Sequence, residues 1–406
     1  MVGANIANNA VTFLTTTVIA ILVSTEEFGI YSVAVNVTMI AFAISEAGLS
    51  LSVVRHYSQE TDETKKREIL QAGVLLRSTL SFFLAMIALP MGLGLSYAIS
   101  ASHPISRELT IGMFSAAALG LWASARSTKQ ATQNYKAYAG LTVLYGLIRF
   151  CVITVLYVTG VRDAIFFLGG LYLISPLLIA FWFYFTFNRQ YGLWPAAINR
   201  NLLKSLLSYG RWVVVSYVLS PLCYTLPLFI LMPLRGADVA GVYGVGLMFS
   251  AIVGPLSDAL GAFVVPKVAA YSNSKEVHAY ILRAIGFLGY FLTALALAVI
   301  ACSIVFQILF AAKYHHGLIT MQILLAANLL ASYGGMLNCV THYLGMPYLN
   351  ALANLGKVII AGAGSWVLAP ELGAPGGAVA AASATILGEA CLFIIIRRRL
   401  ANPSLS

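Results

Sequence analysis

Six charged side chains fall inside stretches that are otherwise apolar: Glu46, Arg77, Arg149, Asp258, Lys357 and Glu389. FAISEAGLSL, residues 42–51, shows the pattern, since Glu46 is the one charge between Phe28 and Val54. An ionised group in hydrocarbon costs at least ~2.5 kcal/mol, so each needs a partner or a task. The tasks divide by sign. A membrane carboxylate binds or releases a proton or Na⁺, which makes Glu46, Asp258 and Glu389 candidates for ion coupling or gating. A membrane cation holds an anion, and the planar fork of arginine suits phosphate. Arg149 and Lys357 are the candidate anion-binding residues, with Arg77 a weaker third. Arg77 lies near a polar loop, where its side chain is expected to snorkel.

The placement of these groups repeats. EEFGIYSVAVNVT at 26–38 resembles DVAGVYGVGLMFS at 238–250, with Gly29 on Gly241 and Tyr31 on Tyr243, an offset of 212 residues. The same offset carries Glu46 onto Asp258. Arg149, in LYGLIRFCVITV, and Lys357, in NALANLGKVIIAG, fall on counterpart helices. Glu389 has no counterpart. Two readings stay open. Glu46–Arg149 and Asp258–Lys357 are internal salt bridges that fix packing, since buried charges are tolerable when paired. Alternatively, the bases face one cavity and bind an anion while the acids handle a coupling ion.

The elements that position these charges follow from composition. The chain has 406 residues, 60% hydrophobic and 9% charged, with a mean hydropathy of +0.87. Soluble domains carry roughly 25% charged residues. In a bilayer only helices or closed barrels satisfy the backbone, and continuous apolar runs of about 20 residues exclude a barrel. The expected fold is an all-α integral membrane protein of about 12 transmembrane helices, in two six-helix lobes related by a parallel repeat. The spans read 3–23, 28–54, 69–99, 108–125, 139–160 and 164–187, then 209–233, 240–265, 279–311, 318–338, 349–369 and 374–396. Residues 1–187 form one lobe and 209–406 the other, the latter ending in a basic tail. Residues 188–208 link them as an amphipathic segment on the cytoplasmic surface, with Leu202, Leu203, Leu206 and Leu207 beside Arg200 and Lys204.

Basic residues set the orientation. The loops after even-numbered spans, with the C-terminal tail, hold 17 Lys and Arg, and the odd-numbered loops hold 4. Both termini are therefore expected in the cytoplasm. This also accounts for the net charge of +10 without nucleic acid, which is not an expected partner. Membrane lipids are. The seventh span carries Pro221, Pro227 and Pro233, each of which removes a backbone hydrogen bond. The first span carries Asn5, Asn8 and Asn9, whose amides should face the interior. Bendable or polar first helices in both lobes suit alternating access. The five cysteines show no metal or pairing pattern. No nucleotide, metal or nucleophile motif is present, so no cofactor is expected, and the first run is expected to be a span rather than a cleavable signal peptide.

STEEFGIYSVAVNV, EAGLSLSVVRHYS, QATQNYKAYAG at 130–140, ILFAAKYHHG at 308–317 and APELGAPGGAVAAA at 369–382 together resemble the polysaccharide transporter family. That family includes O-antigen and exopolysaccharide flippases, and it shares a superfamily with multidrug extruders and the lipid II flippase. The resemblance spans nearly the whole chain and rests on the order and spacing of these strings. It implies a flippase in the bacterial cytoplasmic membrane that moves an undecaprenyl-pyrophosphate-linked oligosaccharide outward, alongside other polysaccharide-assembly proteins. Its cationic cavity would correspond to Arg149 and Lys357, with Arg77 weaker. Family members usually carry a polar or basic segment before the first helix, whereas this chain begins almost within it. A proton- or Na⁺-coupled drug exporter of the same superfamily is the alternative, but an organic-cation cavity should be net acidic. A membrane polymerase or ligase needs an extracellular catalytic region, and the odd-numbered loops are too short to fold alone. A purely structural membrane protein leaves the duplicated charges unexplained.

Overall fold

A computed structural model describes residues 2–46, 48–99, 104–192, 200–254, 268, 274–314, 316–343, 346 and 348–401. Among the described residues there are helices and turns but no strand. Among the described residues eleven helical stretches are long and apolar enough to cross a membrane. The chain divides into two compact units, Met1–Val218 and Leu219–Ser406.

The first unit contains α1 (Val2–Leu22), α2 (Thr25–Glu46), α3 (Leu49–Gln59), α4 (Glu63–Met86), α5 (Ala88–Ile99), α6 (Ser106–Ala131) and α7 (Tyr135–Val158). The sixth span is composite. It runs through α8 (Ala164–Leu168), a π-helical turn (Gly169–Ile174) and α9 (Ser175–Tyr191). Short polar side chains start several of these helices. Asp62 accepts the Thr64 N–H at 2.8 Å, Asn134 that of Ala137 at 3.1 Å, and Asp163 that of Ile165 at 3.0 Å. In the loop before α4, Glu60 accepts the N–H groups of Asp62 and Thr61, which holds its carboxyl below the usual range.

α6 is the axis of this unit, packing against α2, α3, α4, α5 and α9. Its run SAAALG supplies the small residues that let membrane helices approach closely. A Cβ on Gly112 would lie 2.8 Å from Thr38 Oγ1 and 3.2 Å from the Ala34 carbonyl of α2.

The second unit begins within α10 (Arg200–Arg235), which crosses the division between the units. It continues with α11 (Ala237–Ser250), a 3-10 turn (Ala251–Val253), α12 (Ser274–Gly286), α13 (Leu288–Phe310), α14 (Gly317–Asn338), α15 (Val340–Tyr343), α16 (Tyr348–Leu372) and α17 (Ala374–Ala401). α16 and α17 form a tight hairpin through Gly373, whose φ of 64° suits glycine. A Cβ on Gly376 would meet the Leu368 carbonyl oxygen at 2.5 Å. α13 is the most apolar span and only 6% buried, as a lipid-facing helix should be.

Several spans differ in form from the hydropathy reading, among them the ninth, read as 279–311, which divides into α12 and α13 at Phe287. The second breaks at Gly48, where φ is 66°, because the left-handed conformation ends one helix and starts the next. The third divides into α4 and α5 around Ile87, where Pro90 lacks the N–H that would continue the ladder. The fourth extends to Ala131, so Arg126 and Lys129, expected in a loop, are helical. Residues 200–208, expected in the surface linker, are the first turns of α10. Residues 188–191 of that linker are the end of α9, and its residues 193–199, with residues 255–265 of the eighth span, lie outside the described residues.

Candidate functional site

Glu46 ends α2, and its Oε1 accepts the Ser50 N–H at 3.0 Å. A carboxylate there meets the unpaired N–H groups and positive end of α3. Its ionic partner is Arg77 of α4, 3.0 Å away. Arg77 also donates to Ser50 Oγ at 3.1 Å and to Ser127 Oγ at 3.2 Å. It does not snorkel: it is among the largest fully enclosed side chains, 2% exposed. The reason is its position on α4 against the central α6, with the Glu46 carboxylate available to neutralise it. The Glu46–Arg149 pairing expected from the sequence is replaced by Glu46–Arg77, because α3 and α4 fold back beside the end of α2.

Arg149 lies in α7, is 2% exposed, and has no carboxylate partner among the described residues. Its Nη1 donates to Thr12 Oγ1 of α1 at 2.8 Å and its Nη2 to the Tyr172 hydroxyl at 3.3 Å. The guanidinium lies 4.9 Å from the centre of the Tyr172 ring and 5.3 Å from that of Tyr145. Aromatic faces attract a desolvated cation without neutralising it. The π turn that carries Tyr172 packs closely on α7, since a Cβ on Gly170 would stand 2.6 Å from Val152 Cγ1. Such turns are frequent at functional sites. The outer side of α7 presents an apolar groove of about 730 Å³, lined by Leu144, Leu147, Ile148, Val152 and Phe166 among others. It contains no charged residue.

In the second unit Lys357 of α16 is paired with Glu389 of α17, and Glu389 Oε2 also accepts from Asn338 Nδ2 of α14 at 2.6 Å. Two glycines make room for this pair. A Cβ on Gly334 would lie 2.3 Å from Glu389 Oε2, and one on Gly388 would lie 2.4 Å from Lys357 Cγ. Among the described residues the partner of Lys357 is Glu389, the acid without a counterpart in the repeat. Asp258 itself lies outside the described residues. The offset of 212 that relates the halves carries Arg149 onto Ala361 and Tyr172 onto Ala384. Ala361 and Ala384 belong to a buried apolar cluster with Cys223. The position of the first unit's unneutralised arginine is therefore hydrocarbon in the second.

Of the three asparagines of α1, Asn5 and Asn8 turn inward and Asn9 is exposed. Asn5 Oδ1 lies 3.5 Å from the Tyr138 hydroxyl and from Arg126 Nη2. α10 remains helical through Pro221, Pro227 and Pro233. Sequence reasoning missed Thr12, Trp122, Arg126, Tyr138, Tyr145 and Tyr172. One signal was available: Trp122 and Arg126, and likewise Tyr145 and Arg149, stand four apart on helical stretches, where an aromatic ring and a cation share a face.

No group of three or more His, Cys, Asp and Glu among the described residues has the arrangement of a metal site. No curated protein matches the sequence. The structure is similar to an inward-facing multidrug resistance MATE family transporter of the MOP superfamily, with a TM-score of 0.80 at 12% identity over 96% of this chain and 94% of that one. It is similar to a MOP superfamily transporter from Pyrococcus furiosus, with a TM-score of 0.64 at 12% identity over 99% and 94%. It is also similar to the lipid II flippase MurJ in an inward closed conformation, with a TM-score of 0.63 at 14% identity over 97% and 86%. The family model for polysaccharide biosynthesis protein matches residues 1–266, so this multi-pass, all-helical membrane chain belongs to the polysaccharide biosynthesis protein family and has a MOP superfamily transporter fold.

Proposed function

We propose that this protein is a flippase that carries a lipid-linked oligosaccharide across the bacterial cytoplasmic membrane by alternating access, with residues 1–187 and 209–406 as its two lobes and both termini in the cytoplasm. The observation that carries the reading is Arg149: a buried cation with no carboxylate, held by hydroxyls and ring faces. Such a group attracts an anion, and its fork matches phosphate. Membership in a polysaccharide-synthesis family makes the phosphate of a lipid-linked sugar the fitting ligand. The lipid chain stays in the bilayer, which spares it a transfer into water.

Lys357 takes a second role. It joins in anion binding when Glu389 releases it, so that the pair acts as a gate rather than a permanent site. Glu46 holds Arg77 and thereby the junction of α2 and α3. A drug exporter for organic cations would need an unneutralised acid, whereas the two candidate membrane acids among the described residues, Glu46 and Glu389, are both paired. The test is a strain lacking this protein, assayed for lipid-linked oligosaccharide on the two leaflets. Retention on the cytoplasmic leaflet, reversed by the wild-type chain but not by Arg149→Ala, is expected. Normal outward transfer in its absence overturns the reading.

A further inference from the structure

Besides Arg149, Arg126 is a cation of the first unit that packs on aromatic rings and has no carboxylate partner among the described residues. The Arg126 guanidinium, from α6, lies 4.8 Å from the centre of the Trp122 ring and 4.9 Å from that of Tyr138. Its Nη2 donates to the Tyr138 hydroxyl. Trp122 packs against Tyr145 with ring centres 4.5 Å apart and the planes tilted by 36°, and Tyr145 in turn faces Arg149. Arg126, Trp122, Tyr145 and Arg149 thus form one continuous file between α6 and α7. α1 runs beside it, with Asn5 at the Arg126 end and Thr12 at the Arg149 end.

Two features of this file point to an anion. Neither arginine has a carboxylate partner among the described residues, and ring faces leave their charge in place. Three buried donors in the file also lack an acceptor among the described residues: Arg126 Nε, Trp122 Nε1 and Arg149 Nε. Buried polar groups are nearly always bonded, so three unused N–H donors in one file mark a place for an acceptor-rich group. Phosphate oxygens are such acceptors, and charge-assisted bonds to them are the strong kind. Arg126 is only partly buried, so an anion reaches it before it reaches the enclosed Arg149.

We infer that Arg126 is a second phosphate-binding residue, which receives the anion at the end of the unit where α1 begins and passes it along the file to Arg149. This rests on the proposal that Arg149 binds phosphate.

The experiment uses the full chain in nanodiscs of zwitterionic lipid, titrated separately with inorganic pyrophosphate and with a polyprenyl phosphate. Tryptophan fluorescence and thermal stability are read for wild type, Arg126→Gln, Arg126→Lys, Arg149→Gln and Trp122→Phe. Losing one charge-assisted contact should weaken binding about tenfold or more in each glutamine variant. Arg126→Lys should fall between, and it carries the test if Arg126→Gln fails to fold. Trp122→Phe should abolish most of the fluorescence change. Binding of pyrophosphate assigns the affinity to the phosphate alone, and binding of polyprenyl phosphate only assigns it to the lipid form; both support the file. Wild-type affinity in the Arg126 variants with loss in Arg149→Gln overturns this inference and leaves the Arg149 reading standing. Wild-type affinity in all variants, or no binding by wild type, overturns both.

Discussion

At the scale of the residue, the two fully buried arginines described in the first unit, Arg77 and Arg149, do opposite things with the same chemistry. Arg77 is neutralised by Glu46 and tied to Ser50 and Ser127, which makes it a structural group. Arg77→Ala leaves Glu46 without its counter-ion, and breaking a buried pair costs about 3–5 kcal/mol. A large drop in thermal stability of the purified protein is the expected outcome. Glu46→Gln should cost less, because the amide oxygen can still accept from Ser50 and Arg77. Its export should also be the same at pH 6 and pH 8; a variant that folds normally but loses transport would restore a coupling role to Glu46. Arg149 is bonded to hydroxyls and rings alone, and so its charge is available. Arg149→Ala should abolish export at near-normal protein levels, and Arg149→Lys should recover only part of it, since a point charge lacks the fork. For Lys357 the discriminating comparison is Lys357→Met against Lys357→Met with Glu389→Gln. The single change strands a carboxylate and should destabilise. The double change should recover most of the stability, with the pair's coupling measured by the cycle. If the double variant is as unstable as the single, Glu389 is not what Lys357 neutralises.

Elements decide which of these charges meet, and that was the part least legible in the sequence. The spans themselves were readable, since apolar length and polar breaks are one-dimensional signals: Gly317–Asn338 and Tyr348–Leu372 fall within a few residues of the hydropathy reading, whereas the ninth span, read as 279–311, divides at Phe287. Pairing depends on which helix faces which, and the sequence repeat suggested the wrong neighbours for Glu46. Nothing in the string announces that Gly48 turns the chain so that α4 comes beside α2. Likewise, the fourth span's extra helical turns, which bring Arg126 inside, are polar enough to pass for a loop. Glycines record these approaches after the fact. Gly334→Ala and Gly388→Ala would push a methyl into the Lys357–Glu389 pair. Each should destabilise by about 1–3 kcal/mol, the range for overpacking. Gly356, beside Lys357 in α16, faces open space, with nothing within 4 Å of where a Cβ would stand. Gly356→Ala should be neutral or stabilising by up to about 1 kcal/mol, because alanine favours the helix. Equal thermal stability of all three variants would mean that the charged pair yields freely and does not hold α14, α16 and α17 together.

At the scale of the whole molecule the distribution of charge carries an argument that packing does not. The segments read from sequence as loops after even-numbered spans, with the C-terminal tail, hold 17 basic residues against 4 in the odd-numbered ones. Arg126 and Lys129 are helical rather than in a loop, yet both sit in the last turns of α6, at the end that this bias assigns to the cytoplasm. Long cationic side chains at a helix end reach the headgroups, so the bias survives the correction. Arg397, Arg398 and Arg399 close α17, at an end that the same bias assigns to the cytoplasm, where an anionic leaflet would contribute about 1 kcal/mol per basic residue. The expected topology places the start of α1 and the end of α17 in the cytoplasm. Arg126, next to Asn5 of α1, then stands at the cytoplasmic end of the file and Arg149 deeper in the membrane. Reporter fusions after Lys136 and Ser274 should read cytoplasmic, and fusions after Ser102 and Gly236 should read external. An external signal at Lys136 would put Arg126 on the far side from the cytoplasmic leaflet. The order in which a phosphate meets the two arginines would then reverse, and the file would describe release of the lipid-linked sugar rather than its capture.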